Sequence, residues 1–361
     1  MAEMSRHGIN AMVMRGGSSK GLYFLATDLP SDPTYRDQLL MEVMGTPDPR
    51  QIDGMGGAHP LTSKVAVVGL CDHGEADVDY LFLQLGVDEA LVTDRQNCGN
   101  LLAGIGPFAV ERGLIEPTDG QCDVRIHMLN SNSFATATFD VSDGLPVYEG
   151  GTEISGVPGG AAPITLEFEN MAGGFTGALL PSGNVVDDVA GVAVTMIDNG
   201  MPVVVMRAEH MGVSGYESCR ELEQNTQLRD QLEQIRLEAG KIMNLGDVAD
   251  ITVPKLTMVA PPRHGGHLST RTFIPHRCHQ AIGVLGAVSV ATAALIDDSM
   301  AAADLRHSGD GDIIALEHPS GMFEAVVTLA NDDDGRPVAT RSGIVRTARK
   351  LMDGTVFPRT Y

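Results

Sequence analysis

The apolar and polar positions of the first half of the chain alternate in short runs, which predicts a sheet with few helices. Strands are predicted at 11–14 and 21–25, at 65–68 and within 77–87. Between them, apolar residues at helical spacing predict a helix over 33–44 that Gly45 closes. The pattern therefore favours an α/β fold over an all-helical one.

The second half repeats this arrangement. Strands are predicted at 192–197, 201–207, 255–260 and 323–329, and a long amphipathic helix at 217–243. In each half a polar turn with a cysteine leads into a run without charges, at 101–110 and at 280–296.

This repetition predicts two similar domains, 1–187 and 188–361, each with a sheet wrapped around a central helix. The last strand of the chain is a candidate to return to the first domain. The run at 280–296 is too short to cross a bilayer, and it is expected to be a buried helix.

Charge and cysteine usage narrow the class of protein. With 47 acidic and 25 basic residues the formal charge is −22, which argues against nucleic acid or an anionic membrane as a partner. The five cysteines show no CxxC pair, and the N-terminus shows no apolar signal-like run. We therefore expect a cytoplasmic protein, and any anionic ligand needs a locally basic site.

The turn 97–100 carries the first candidate chemistry. Cys98 stands where a helix is predicted to begin, and the positive end of the helix dipole favours a reactive thiolate there. The unpaired N–H groups of the same helix start can bind a carboxylate. A small buried cysteine without chemistry is the other interpretation, and the residues alone do not decide between them.

Two further stretches carry candidate chemistry. The segment 15–20 combines Arg15, two glycines, two hydroxyls and Lys20, a set that can wrap an anion, although a hairpin turn with exposed charges fits equally. Lys64 stands at the mouth of an apolar strand, where partial desolvation favours the neutral amine that a proton-transfer base requires. An exposed lysine at a strand start is the alternative.

A metal site is the main alternative from a different class of function. Its candidate ligands are His264, His267, His276, Cys278 and His279. Their spacing matches no standard ligand pattern, and neither HExxH nor CxxC accompanies them. We therefore expect no metal, and we keep a metal-dependent hydrolase or a small-anion-binding protein as the alternatives to a metal-free enzyme.

Five ordered motifs resemble the PrpF family. They are the segments at 14–21, 51–54, 62–65, 97–100 and 346–349, and the likeness extends over nearly the whole chain. The family consists of cofactor-independent isomerases with the diaminopimelate-epimerase-like fold. Segments 197–202 and 275–279 look most like the members that act on 4-oxalomesaconate in the breakdown of gallate and protocatechuate. Members that isomerise 2-methylaconitate are the runner-up.

The resemblance implies an active site in the cleft between two α/β domains, no cofactor, and Lys64 and Cys98 as the acid/base pair. It implies a small unsaturated tricarboxylate as ligand, with Cys278 only supporting the site. A homodimer is expected only as the commonest assembly. The donors implied for substrate binding are Arg15, Ser18, Ser19, Lys20, Asn97, Gly99, Asn100, Arg271, His276, Arg277, Ser320 and Gly321.

Overall fold

The computed structural model describes residues 8–94, 98–306 and 312–359, which form a mixed α/β protein. Its strands are β1 Ile9–Gly16, β2 Ser19–Leu25, β3 Lys64–Leu70, β4 Val78–Leu85, β5 Val92–Thr93, β6 Gly120–Met128, β7 Ser133–Ser142, β8 Leu145–Pro146, β9 Pro163–Phe168, β10 Asp187–Val189, β11 Val192–Asp198, β12 Pro202–Arg207, β13 Lys255–Ala260, β14 Leu268–Ile274, β15 Arg277–Cys278, β16 Ile313–His318, β17 Gly321–Asn331 and β18 Pro337–Val356. Its α-helices are α1 Pro33–Met44, α2 Gly99–Leu102, α3 Ile105–Glu111, α4 Cys219–Gln224, α5 Thr226–Ile242 and α6 Val284–Leu295.

The chain divides into two compact units. Unit 1 comprises Met1–Leu166 and Val345–Tyr361, and unit 2 comprises Glu167–Ile344. The last part of β18 thus returns to unit 1. The boundary anticipated at 187/188 from turn-forming residues instead falls after Leu166.

Hydrogen bonds to Asp198 explain why the turn-rich segment before β10 belongs to unit 2. The Asp198 carboxylate accepts the N–H groups of Phe175 at 2.8 Å and Thr176 at 3.0 Å. The Asp198 carbonyl accepts the N–H of Gly173 at 2.8 Å. Because this carboxylate is fully buried, it fixes the segment rather than leaving it as a linker.

Unit 1 is a mixed sheet with helices on both faces. β1 runs antiparallel to β2 and β18, β2 runs parallel to β3, and β3 runs antiparallel to β4. The predicted helix α1 is confirmed, with Asp32 capping its start and Gly45 in the left-handed conformation at its end. Its apolar side packs on one face of the sheet, and α2 and α3 pack on the other.

Unit 2 repeats the mixed pattern around α6. β12 runs parallel to β13 and β14 parallel to β16, with antiparallel pairs between. α6 is almost wholly buried and packs against β11, β12, β16 and β17. Asn199 ties α6 to the sheet, because its side chain donates to Thr292 Oγ1 at 2.8 Å and its N–H to Ser289 Oγ at 3.1 Å.

Two predicted helices are interrupted. The apolar run after Cys98 forms α2 and α3 separately, because Pro107 is tolerated only in the first turn of a helix and α3 restarts two residues before it. The predicted helix 217–243 is divided at Asn225, whose side chain accepts the Leu228 N–H and caps α5. Among the described residues, no helix is long and apolar enough to span a bilayer.

We expect Arg236→Met to lower the melting temperature markedly. The fully buried Arg236 guanidinium donates to Glu233 at 2.7 and 2.8 Å and to the Val248 and Ile251 carbonyls at 2.7 and 2.9 Å. The substitution leaves the buried Val248 carbonyl without its Arg236 donor, and a buried polar group that loses a partner costs about 1–3 kcal/mol. Thermal unfolding followed by circular dichroism measures the effect. The exposed Arg229 on the same helix gives the control, since Arg229→Met is expected to change stability by less than about 0.5 kcal/mol. Equal melting temperatures for the two variants would contradict the assignment.

Candidate active site

The segment 15–20 forms a tight hairpin and not an open loop. β1 extends to Gly16 and β2 begins at Ser19, so only Gly17 and Ser18 turn the chain. Gly17 has φ of 52°, a conformation that favours glycine. Arg15 Nη1 donates to the Gly17 carbonyl at 2.9 Å and thereby supports the turn. The structure therefore shows a hairpin, and its cations Arg15 and Lys20 are half-buried and not exposed.

Lys64 is a buried amine at the start of β3, with only 7% of its surface exposed. Its Nζ donates to Gln84 Oε1 at 2.6 Å and lies 4.9 Å from the centre of the Phe82 ring. The expectation of a desolvated lysine at a strand mouth is therefore confirmed.

The strand register places Lys64 and Ser19 on one face of the sheet. Lys64 lies beside Gly21 on β2 and opposite Gln84 on β4, and neighbours at one level of a sheet point to the same side. Ser19, two residues before Gly21, shares that side. Tyr23, two residues after Gly21, donates from its hydroxyl to the Leu101 carbonyl at 2.7 Å. The face that carries Lys64 is therefore the one that α2 covers.

Cys98 lies over the same face. It is the N-cap residue of α2, is 9% exposed, and has no side-chain capping bond. The Tyr80 hydroxyl donates to the Cys98 carbonyl at 3.4 Å, and Tyr80 lies on the Lys64 side because it pairs with Val68. Burial raises the pKa of Tyr23 and of Tyr80 well above the usual value, and the nearby Cys98 raises both further. Both phenols therefore stay neutral.

The hairpin and α2 are in close contact. Asn100 Nδ2 donates to Ser18 Oγ at 3.2 Å, and a Cβ on Gly16 would lie 2.5 Å from the Asn100 carbonyl oxygen. Gly99 is the first residue of α2. Ser19 Oγ is buried and has no hydrogen-bond partner within the described ranges. The predicted donor Asn97 lies outside the described residues.

Arg15 and Lys20 point to the other face of the sheet. They pair with each other across the hairpin, between the Met14–Gly21 and Gly16–Ser19 pairs. Because successive side chains of a strand point to opposite faces, those of Arg15 and Lys20 point away from the Lys64 face. Arg349 faces Arg15 from β18. Burial lowers the pKa of Arg15, and Arg349 lowers it further. The single anion-wrapping segment expected from the sequence is thus divided between two faces by the pleat of the strands.

Of the arginine and histidine residues predicted as donors in unit 2, Arg271 is buried, and His276 and Arg277 are exposed. Arg271 is 8% exposed, and its Nε donates to the Glu217 carbonyl at 2.8 Å. His276 lies 3.7 Å from a Glu233 carboxylate oxygen, and Arg277 Nε donates to Glu223 at 3.0 Å. His276 and Arg277 therefore already face carboxylates of α5 and α4.

His318, which was not among the residues predicted from the sequence, lies at the same turn as Ser320. Ser320 N–H donates to His318 Nδ1 at 3.3 Å, and His318 pairs with Gly321 across the turn. His318 is 6% exposed. Burial lowers its pKa, and the neighbouring His279 and Arg271 lower it further, which favours a neutral imidazole.

Cys278 lies beside a second thiol. Burial raises the pKa of Cys278 far above the usual value, and the adjacent Cys219 raises it further. Cys219 Sγ donates to the His279 carbonyl at 3.5 Å. A thiol held protonated in this way is consistent with the supporting role that the family resemblance left to Cys278.

The candidate ligands of the metal-site alternative, all of them described residues, do not come together in a group of three. Among the described residues, the one group of three metal-type side chains with ligand atoms within 4.8 Å of one another is Cys71, Asp79 and His127. In that group His127 Nδ1 lies 2.9 Å from Asp79, and its Nε2 lies 2.9 Å from Asn132 Oδ1. Hydrogen bonding within the chain already accounts for this histidine.

Comparison with known proteins gives a consistent result. The family model described as "PrpF protein" matches residues 6–359. The chain is 55% identical over 347 residues to the (4E)-oxalomesaconate Delta-isomerase of Novosphingobium sp. (strain KA1), covering 96% of each chain. It is 52% identical over 354 residues to the 4-oxalomesaconate tautomerase of Pseudomonas putida, covering 98% of this chain and 97% of the relative.

A solved structure has the same fold. The crystal structure of a methylitaconate-delta-isomerase superposes with a TM-score of 0.87 at 32% identity. The match covers 97% of this chain and 95% of that chain. The α/β fold expected from the sequence, with its two similar units, is therefore confirmed.

We expect Gly16→Ala to displace the turn that carries Cys98. The added Cβ would lie 2.5 Å from the Asn100 carbonyl oxygen and 2.8 Å from the Tyr23 hydroxyl. Such overpacking costs about 1–3 kcal/mol, which thermal unfolding measures as a lower melting temperature. The control is Gly354→Ala, because a Cβ at Gly354 meets nothing within 4 Å. Unchanged stability in Gly16→Ala would show that the hairpin and α2 are not in firm contact.

Proposed function

The chain belongs to the PrpF family, and on that premise we propose that it is a cofactor-independent isomerase that moves the C=C bond of 4-oxalomesaconate. The observation that carries the proposal is a buried lysine and a buried cysteine on one face of unit 1. The identity of 55% to a relative with this printed activity supports the choice of substrate. In this role the protein serves the breakdown of aromatic acids.

The chemistry requires one base and one acid. We propose that neutral Lys64 Nζ removes a proton from the substrate CH2 group, while the C–H electron pair forms a new C=C bond. The old double bond shifts its electrons toward a carbonyl oxygen and gives a dienolate. Delivery of a proton two carbons away, by the Cys98 thiol or by the Lys64 ammonium, completes the 1,3-shift without net oxidation or reduction.

The dienolate and carboxylates need donors in a chain of formal charge −22. Ser19 Oγ supports this role because it lies on the Lys64 face, buried and without a partner among the described residues. Fixed donors at a developing oxyanion are worth about 3–4 kcal/mol each at best. Arg15 and Lys20 point away from this face, so the proposed contacts with the dienolate leave them out. The substrate contacts of Arg271 and Ser320 stay predictions of the family resemblance.

The cellular setting is also a proposal. All five cysteines are free, and four of them, including Cys98, are buried. Reduced thiols of this kind are typical of the cytosol. We propose that the protein works in the cytoplasm on a small tricarboxylate, with a homodimer as the assembly to test first.

We expect the purified protein to prefer 4-oxalomesaconate over 2-methylaconitate by at least about tenfold in kcat/KM. A donor that pairs with 4-oxalomesaconate is left unpaired when 2-methylaconitate binds. The loss of one such hydrogen bond lowers kcat/KM by about tenfold. Ultraviolet absorbance of the conjugated double bond measures both rates. A preference for 2-methylaconitate would assign the chain to the other branch of the family.

We expect Lys64→Met to reduce kcat/KM by about 10²–10⁴-fold, the usual contribution of a general base. Cys98→Ser is expected to lose less, because the Lys64 ammonium can also deliver the second proton. Lys241→Met, at an exposed position on α5, is the control. Folded Lys64→Met that keeps more than a tenth of the wild-type rate would exclude Lys64 as the base.

A further inference from the structure

Gln84 lies directly opposite Lys64 across the antiparallel β3–β4 pair. Its side-chain oxygen is the acceptor of the 2.6 Å hydrogen bond from Lys64 Nζ. An amide oxygen accepts and never donates, so the amine must present a hydrogen to it in either protonation state. The bond therefore survives when Lys64 loses its proton.

The orientation of the Gln84 amide is fixed from the other side. Its Nε2 lies within hydrogen-bond distance of three carbonyls, which share its two hydrogens: those of Pro60 at 3.1 Å, Ser63 at 3.0 Å and Leu85 at 3.1 Å. In a reversed amide, the oxygen would face three carbonyl oxygens with no hydrogen between them, which is repulsive. The Oε1 atom is thus held toward Lys64.

The surroundings of Lys64 are neutral. No carboxylate of the described residues lies within ion-pair distance of Nζ, and the centre of the Phe82 ring lies 4.9 Å from it. The titratable groups on this face include Tyr23, Tyr80 and Cys98, and burial keeps both phenols protonated. Lys350 of β18 lies on the same side and is paired with Glu111 of α3 at 2.6 Å. A neutral acceptor positions the amine and favours the ammonium less than a carboxylate at the same place would.

We propose that Gln84 is a positioning residue for the isomerase reaction: it aims Lys64 Nζ and, being neutral, leaves that amine able to act as a base. This inference rests on the proposed role of Lys64. It goes further by assigning a function to a residue that neither the family motifs nor the relatives' names identify.

The variant Gln84→Glu separates this role from a merely structural one. A carboxylate within hydrogen-bond distance favours the ammonium, so the acidic limb of the kcat/KM–pH profile should move up by about 1–3 pH units. The activity should return at higher pH. Gln84→Leu, which keeps the site neutral but removes the acceptor, should lower kcat with less effect on KM and leave the limb in place. Gln121→Glu adds the same charge at an exposed position of β6 and is the control.

A second readout does not depend on activity. The chain has five lysines, so carbon-13 labelling of lysine gives a simple NMR spectrum in which Lys64→Met identifies the Lys64 signal. In Gln84→Glu this signal should titrate at higher pH than in the wild type. An unmoved titration in a folded Gln84→Glu protein, or an unmoved pH limb, would overturn the inference. Failure of the proposed function would instead appear as a wild-type protein that does not isomerise 4-oxalomesaconate.

Discussion

The candidate site depends on one constraint, the burial of an amine against an uncharged acceptor. Lys64 is 7% exposed, and a lysine in such a position is costly unless its hydrogens are bonded. Gln84 supplies the bond at 2.6 Å, and three backbone carbonyls fix Gln84 in turn. The sheet therefore carries the amine at a defined point without adding a negative charge beside it.

The alternation of side chains along the strands then determines which residues lie on the same face. Ser19 and Lys64 share the face that α2 covers, and the tyrosines that contact the backbone of α2 come from the same face. Arg15 and Lys20 belong to the same hairpin as Ser19 but point to the opposite side. A short hairpin thus distributes its cations and its hydroxyl over two environments, and a one-residue change of register would reverse the assignment.

Much of this arrangement follows from the sequence, and the remainder depends on contacts between distant residues. Helix α1 and strand β3 were predictable because their apolar spacing and end signals are local. The gap between α2 and α3 was not predicted, although Pro107 is a local signal for it. The close approach of Gly104 to the Tyr23 hydroxyl, which a Cβ would meet at 2.5 Å, depends on a distant strand and is not visible in the sequence. Gln84 was also missed. It continues the side of β4 that carries Tyr80 and Phe82, and that continuity was the available signal. Lys64 and Cys98 were found because strand mouths and helix starts are recognisable locally.

Removal of the first proton by Lys64 can be tested separately from turnover by hydrogen exchange. The substrate is incubated in D2O with wild-type protein and with folded Lys64→Met, and proton NMR follows the CH2 signal. We expect the wild type to exchange deuterium into the carbon skeleton during isomerisation, whereas Lys64→Met should neither exchange the CH2 protons nor move the double bond. Exchange of the CH2 protons by Lys64→Met at the wild-type rate would contradict this role of Lys64.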